Sequence, residues 1–395
     1  MAQTQGTGRR EQYLPCLAGI RGYGFLLVFL GHYLTPDLFP NLSGGRLKVF
    51  TAFSSLALFA VPSFFVLSGY LIGDILYHTR NREGYFKVFY TRRILRIFPV
   101  FYLTLAGIIV FLLIQGSPID LYFWSHFLYI HNLFPGYRAH LNSSVGMIHF
   151  WSLAVEEQFY LVWPLIVWLF PERRKLISVS IVLISLCCGI RLLAPLFASS
   201  PGLIGTFTPC RVDAILLGTL LALIKGSNVF EQFRSLAKWI VACGASTMIL
   251  LAYWKGVPWS VTYSGYEVLI PLANFTAAGV IIAVMEEGSL LNKICSQKWV
   301  CWLGGLSYSL YVFHGTYAPY FKYSLVPQLA PHMRHSVAVL LAAALGLGLT
   351  LLLSILSYRL IEGPIIAMKG HIRYGLERRI DEVEADERLA VGVGT

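Results

Sequence analysis

Polar and apolar positions along this chain segregate into long blocks. Mainly apolar runs lie at about 13–34, 50–77, 97–115, 149–170, 176–196, 209–225, 238–254, 264–285, 301–321 and 336–358, separated by short polar stretches. About 20 apolar residues in a helix cross the hydrocarbon core of a bilayer. The pattern predicts an all-α, polytopic integral membrane protein of about ten transmembrane helices. Residues 1–12 then form a cytoplasmic N-terminal segment and 13–364 a single transmembrane domain. Residues 365–395 form a charged cytoplasmic tail with a further helix.

Composition sharpens this reading. Of 395 residues, 56% are hydrophobic and 13% charged, against about 25% charged in an ordinary soluble domain. The formal charge of +11 would suit a nucleic-acid partner, but the basic residues sit in short clusters between apolar runs. With a cytoplasmic N-terminus, 22 of the 31 Lys and Arg fall in inner segments and six in outer ones. The other three, Arg21, Arg191 and Arg211, lie within or at the ends of spans. This positive-inside bias places both termini in the cytoplasm. It assigns the charge to topology and lipid headgroups and excludes nucleic acid. Arg9-Arg10 precede an uncleaved first span rather than a removable signal. The seven cysteines form no CxxC pair and read as packing residues.

Polar residues inside the spans are the candidates for chemistry, because ionisable groups there are costly and face a bundle interior or a wet cavity. Arg21 and His32 lie eleven residues apart in the first run. That is about three helical turns, which puts both on nearly one face, roughly 16 Å apart along the axis. FFVLSGYLIG at 64–73 offers the Ser68 hydroxyl and Gly69, a residue that lets helices approach closely. FYTRRILRIFPVFY, the loop into the third run, carries Arg92, Arg93, Arg96 and Tyr102. Arg92 and Arg96 share a helix face there and suit phosphate or anionic lipid. Glu156 and Glu157 are adjacent in HFWSLAVEEQFYLVWPL, in the same outer half as His32, where a carboxylate raises the basicity of an imidazole and fixes its tautomer. Trp151 precedes them. Arg211 and Asp213 open the sixth run. His314 follows Tyr308 and Tyr311 in LSYSLYVFHG, and Arg359 and Glu362 close the tenth run one helical step apart, the spacing of a structural ion pair or hydrogen bond. His126, His131, His140 and His149 are spaced 5, 9 and 9 apart. These spacings match no compact zinc pattern, and no metal is expected.

Taken in order, Arg21-x10-His32, FFVLSGYLI, RRILRIFPVFY, WSLAVEEQFYLVWPL, Arg211-Val212-Asp213, LSYSLYVFH and RLIEGP resemble the membrane-bound acyltransferases that modify O-antigen, nodulation factors, macrolides and peptidoglycan. The resemblance runs from about 13 to 364. It implies a ten-helix domain of the bacterial cytoplasmic membrane that transfers an acyl group, often acetyl, from acyl-CoA to a hydroxyl of a sugar, a glycan or a glycosylated small molecule. It also implies importance for Arg21 and His32. Two departures stand out: LAGIRG has Ala18 where the family commonly has aspartate, and no esterase-like domain follows in this sequence.

On that basis Arg21, Arg92, Arg93, Arg96 and Tyr102 are expected to bind the donor. His32 is the general base, supported by Glu156 or Glu157, with Arg21 binding donor or stabilising the oxyanion. An acyl-histidine is the variant route. Ser68, Trp151, Arg211, Asp213, Tyr311 and His314 are assigned to the acceptor. Buried Arg, His and Glu also describe a proton-coupled transporter, which is the alternative function. No inverted repeat of broken helices supports it.

Overall fold

The computed structural model describes residues 15–134, 145–198, 201–256 and 262–368, together with Ile372 and Tyr374. The principal helices are α1 (Pro15–Tyr33), α2 (Ala60–Thr79), α3 (Tyr85–Ile114), α4 (Trp151–Leu169) and α5 (Arg173–Leu193), followed by α6 (Asp213–Ile224), α7 (Asn228–Lys255), α8 (Tyr263–Met285), α9 (Ser307–Pro319) and α10 (His335–Ser357). No strand occurs among the described residues. The protein is an all-α polytopic membrane protein.

Seven helical stretches among the described residues are long and apolar enough to cross a membrane: Pro15–Tyr33, Gly44–Thr79, Tyr85–Ile114, Arg173–Leu196, Asn228–Lys255, Ser264–Met285 and His335–Met368. The remaining predicted runs fall on α4, α6 and α9. The first carries Glu156, Glu157 and Gln158, and α6 has only 12 residues, a rise of about 18 Å. Outward faces are apolar, with Leu113, Ile114, Leu161, Leu192, Leu250 and Leu352 exposed. Soluble monomers rarely show such continuous apolar surface.

Boundaries differ from the apolar pattern in instructive places. The second run is not one helix: a tight turn at Ser55–Phe59 joins Gly44–Ser54 to α2. α3 begins at Tyr85, capped by Gly84 in the left-handed region, so Arg92, Arg93 and Arg96 lie within a 30-residue helix rather than in a loop. The ninth run is split at Leu306 between Lys298–Gly305 and α9. His140 and the predicted tail helix lie outside the described residues, apart from Ile372 and Tyr374.

Apolar burial does not drive helices together in lipid, so close backbone contact must do so. A Cβ at Gly69 would lie 1.8 Å from the Ile215 carbonyl oxygen, and one at Gly218 would lie 1.9 Å from that of Val66. α2 and α6 therefore touch backbone to backbone, as FFVLSG suggested. The Thr219 hydroxyl adds a hydrogen bond to the Gly69 carbonyl at 3.1 Å. α1 lies along Leu290–Cys295, Lys298–Gly305 and α9. Gly304 meets Ala18 at one end and His314 meets His32 at the other, so these segments run in the same direction. Any polar groups they share must line up along that seam.

Candidate active site

α1 carries two polar stations on that seam. At the first, Arg21 lines a cavity of about 130 Å³ together with Arg93 and Arg96 from α3, Glu156, Glu157 and Tyr160 from α4, Ser68 from α2, and Ser307, Tyr308 and Tyr311 from α9. Val61, Phe64, Phe65, Leu71 and Ile72 complete an apolar wall. Glu156 faces Arg93, Arg21 and Arg96 electrostatically. Among the described residues these arginines and glutamates form no direct ion pair. The Arg93 guanidinium lies over the Tyr160 ring at 5.3 Å, and Ser68 and Tyr160 share a short hydroxyl–hydroxyl hydrogen bond. Three guanidinium groups that are not tied up in ion pairs beside an apolar wall suit a ligand with an anionic head and an apolar arm.

The second station is histidine. His32 Nδ1 lies 3.0 Å from His314 Nε2. His314 Nδ1 lies 2.7 Å from the Tyr311 carbonyl oxygen, and the Tyr33 hydroxyl donates to the His314 carbonyl at 3.0 Å. His149 packs against this pair, its ring 5.1 Å from that of His314, and its Nε2 donates to the Val312 carbonyl at 3.0 Å. Gly315 makes room for it: a Cβ there would sit 2.3 Å from His149 Nδ1.

Tyr311 divides the stations. Its ring lines the cavity, while its hydroxyl is 2.5 Å from the Ser152 hydroxyl and donates to the His149 carbonyl at 2.9 Å. Its own carbonyl holds His314. One residue thus belongs to both halves.

Several expected roles change place. The sequence reading puts Glu156 or Glu157 beside His32. The structure puts His314 there, with His149 next to it, and neither glutamate contacts His32 among the described residues. The reason is helical rise: Glu156 lies seven residues beyond His149, about 10 Å further along the chain, at the level of Arg21. Arg92 does not line the cavity. It lies about 100° around α3 from Arg93 and donates to the Ile372 carbonyl at 2.8 and 3.1 Å. Tyr102 donates to the Phe127 carbonyl at 2.9 Å, which ties down the segment after Leu121–Ser125 rather than facing the cavity.

Asp213 pairs with Arg191 at 2.7 Å and accepts from Asn274 at 3.0 Å. Arg211 instead lies over Trp151 at 5.2 Å, and neither of these two lines the cavity. Arg359 is exposed while Glu362 turns inward, accepts from Ser357 at 3.1 Å and faces Arg96. A wide π-type turn at Tyr358–Glu362 separates the two side chains that a regular helix would have paired. The sequence alone assigns Tyr308 no role and does not single out Ser152 or Tyr160, though all three line the cavity. Their only signal was one-face spacing: Tyr308 with Tyr311, and Ser152, Glu156 and Tyr160. His126 and His131 are fully buried and stack at 3.9 Å. Among the described residues no group of three His, Cys, Asp or Glu could hold a metal.

A family model described as an acyltransferase domain matches residues 14–359. A putative peptidoglycan O-acetyltransferase of Bacillus subtilis (strain 168) is 27% identical over 380 residues, 90% of this chain and 55% of the relative. A peptidoglycan O-acetyltransferase of Listeria monocytogenes is 26% identical over 386 residues, 92% of this chain and 57% of the relative. An O-acetyltransferase of Staphylococcus aureus (strain NCTC 8325) is 26% identical over 376 residues, 90% and 57% respectively. The chain thus spans little more than half the length of the curated relatives it matches. No solved structure matches it.

Proposed function

The chain belongs to the acyltransferase-domain family, and from that premise we propose that it is a multi-pass O-acyltransferase of the bacterial cytoplasmic membrane. It moves an acyl group, acetyl in the first place, from acyl-CoA to a hydroxyl of a sugar-containing acceptor. The relatives' names, which specify peptidoglycan or O-acetylation, support a cell-wall glycan as that acceptor. The observation that carries the reading is the placement of Arg21 in the arginine-lined cavity and His32 in the histidine pair, on one face of one helix.

Arg21, Arg93 and Arg96 bind the donor's anionic groups, and Phe64, Phe65 and Ile72 take its apolar arm. Glu156 and Glu157 face the guanidinium groups across the cavity without pairing with them and temper the local positive charge. The donor's thioester extends past Tyr311 towards His32. There His32 takes the proton of the acceptor hydroxyl as the oxygen bonds to the thioester carbonyl carbon. The C–S bond breaks and the leaving thiolate takes up the proton. A polar site at each end of one helix lets a donor from the inner face meet an acceptor at the outer one. With the N-terminus inside, as the charge bias supports, Arg21 lies on the donor's side.

The test is transfer of label from radiolabelled acetyl-CoA to cell-wall glycan by the purified protein. His32→Ala is expected to lose activity by roughly 100-fold or more while still inserting and folding. Near-normal transfer by that variant overturns the reading. Solute flux without acylation would replace it with the transporter.

A further inference from the structure

A histidine that acts as a base must keep one ring nitrogen free of its proton, and the other nitrogen's partner decides which. In a hydrolytic triad a carboxylate does this. Here the contact comes from a second histidine, and the backbone behind it settles the direction. His314 Nδ1 lies 2.7 Å from the Tyr311 carbonyl oxygen. A carbonyl only accepts, so Nδ1 carries the proton. A neutral imidazole has one N–H, so Nε2 of His314 is an acceptor. Its partner at 3.0 Å is His32 Nδ1, which must therefore donate, leaving the lone pair of His32 on Nε2.

The geometry fits such a bond. The ring centroids are 5.0 Å apart, 2.0 Å more than the nitrogens, with planes 16° apart. The rings therefore meet edge to edge rather than face to face, as an imidazole lone pair requires. His314 is fully buried. Among the described residues its ring neighbours besides His32 are Tyr311 at 5.3 Å, His149, whose Nε2–H is committed to Val312, and Phe25, edge-on at 6.1 Å, while the Tyr33 hydroxyl holds its carbonyl. None of these is a carboxylate.

We infer that His314 is the positioning residue of His32: the chain Tyr311 C=O···H–Nδ1 His314 Nε2···H–Nδ1 His32 locks the base in the Nδ1–H tautomer without a carboxylate. This deepens the proposed function and rests on His32 being the base. His314 touches neither donor nor acceptor in this scheme. It acts through His32 alone.

The test compares His314→Leu, His314→Gln and His32→Ala in the acetyl-CoA transfer assay. The glutamine oxygen reaches about the position of His314 Nε2 and can accept from His32, whereas leucine cannot. His314→Leu is expected to lower kcat roughly 10- to 100-fold with the donor KM little changed, and His314→Gln to recover most of the loss. Wild-type kcat in His314→Leu, or equal loss in both folded variants, overturns the inference while a dead His32→Ala leaves the broader reading intact. An active His32→Ala overturns both. Should His314→Leu fail to fold, nitrogen-15 spectra of histidine-labelled wild type decide the matter, with the His32 signals identified by their loss in His32→Ala. An Nδ1–H tautomer is expected, and an Nε2–H tautomer for His32 refutes the lock.

Discussion

Two places in this bundle bury arginine beside a carboxylate, and they solve the problem in opposite ways. On α5 and α6, Arg191 and Asp213 meet at 2.7 Å with side chains only 1% and 5% exposed, and Asn274 takes another contact. That site is closed on itself. Around Arg21, Arg93 and Arg96 the glutamates face the guanidinium groups across a cavity without direct pairing. Charge in a membrane interior is tolerated when paired or when it faces a wet, functional space. The first site is satisfied within the bundle, whereas the second leaves guanidinium groups facing open space, which is why we propose it for the donor's anionic groups. In sequence the two sites looked alike, since Arg21 and Arg191 each lie in an apolar run without an acid and the carboxylates that face them come from other runs.

The contrast can be broken experimentally. Arg191→Met strands a buried carboxylate and should cost about 3–5 kcal/mol of stability, read as a lower denaturation midpoint in detergent. The double variant Arg191→Met, Asp213→Leu should recover much of it. Specific activity of the folded fraction should stay near wild type, and a selective loss of kcat would move this pair into the site. Arg93→Ala should do the reverse. Loss of a charge-assisted contact of about 1.5–3 kcal/mol raises the donor KM roughly 10- to 100-fold with little change in the midpoint. Unchanged KM would remove Arg93 from donor binding. The smallest effect should come from salt. Raising ionic strength from about 0.1 to 1 M shortens screening from about 10 to 3 Å. Donor binding should weaken while the midpoint hardly moves, because the closed pair is out of reach of ions. Equal sensitivity of both readouts would erase the distinction.

The histidine station teaches a related lesson about reading chemistry from sequence. Glu156 and Glu157 were the natural partners to expect for His32, since carboxylates tune imidazoles. Their residue type was informative and their height was not. His314 was visible, and so was its one-face spacing with Tyr308 and Tyr311. Nothing near residue 314 says that it meets residue 32. Likewise Arg92 and Arg93 are equivalent in sequence, yet a rotation of about 100° sends one to the Ile372 carbonyl and leaves the other in the cavity.

By itself the sequence determined what is local: helices from apolar runs, Arg21 and His32 on one face from their eleven-residue spacing, and close backbone approach at Gly69. Backbone hydrogen bonding in a helix is satisfied within a few residues, so its period and faces are written within a short window. Only the tertiary structure decided which face meets which: His314 for His32, Arg191 for Asp213, Tyr311 between the two stations. Those pairings depend on the crossing angle, rotation and depth of every helix at once. Here these are set by contacts as tight as Gly69 against Ile215, which join residues far apart in the chain.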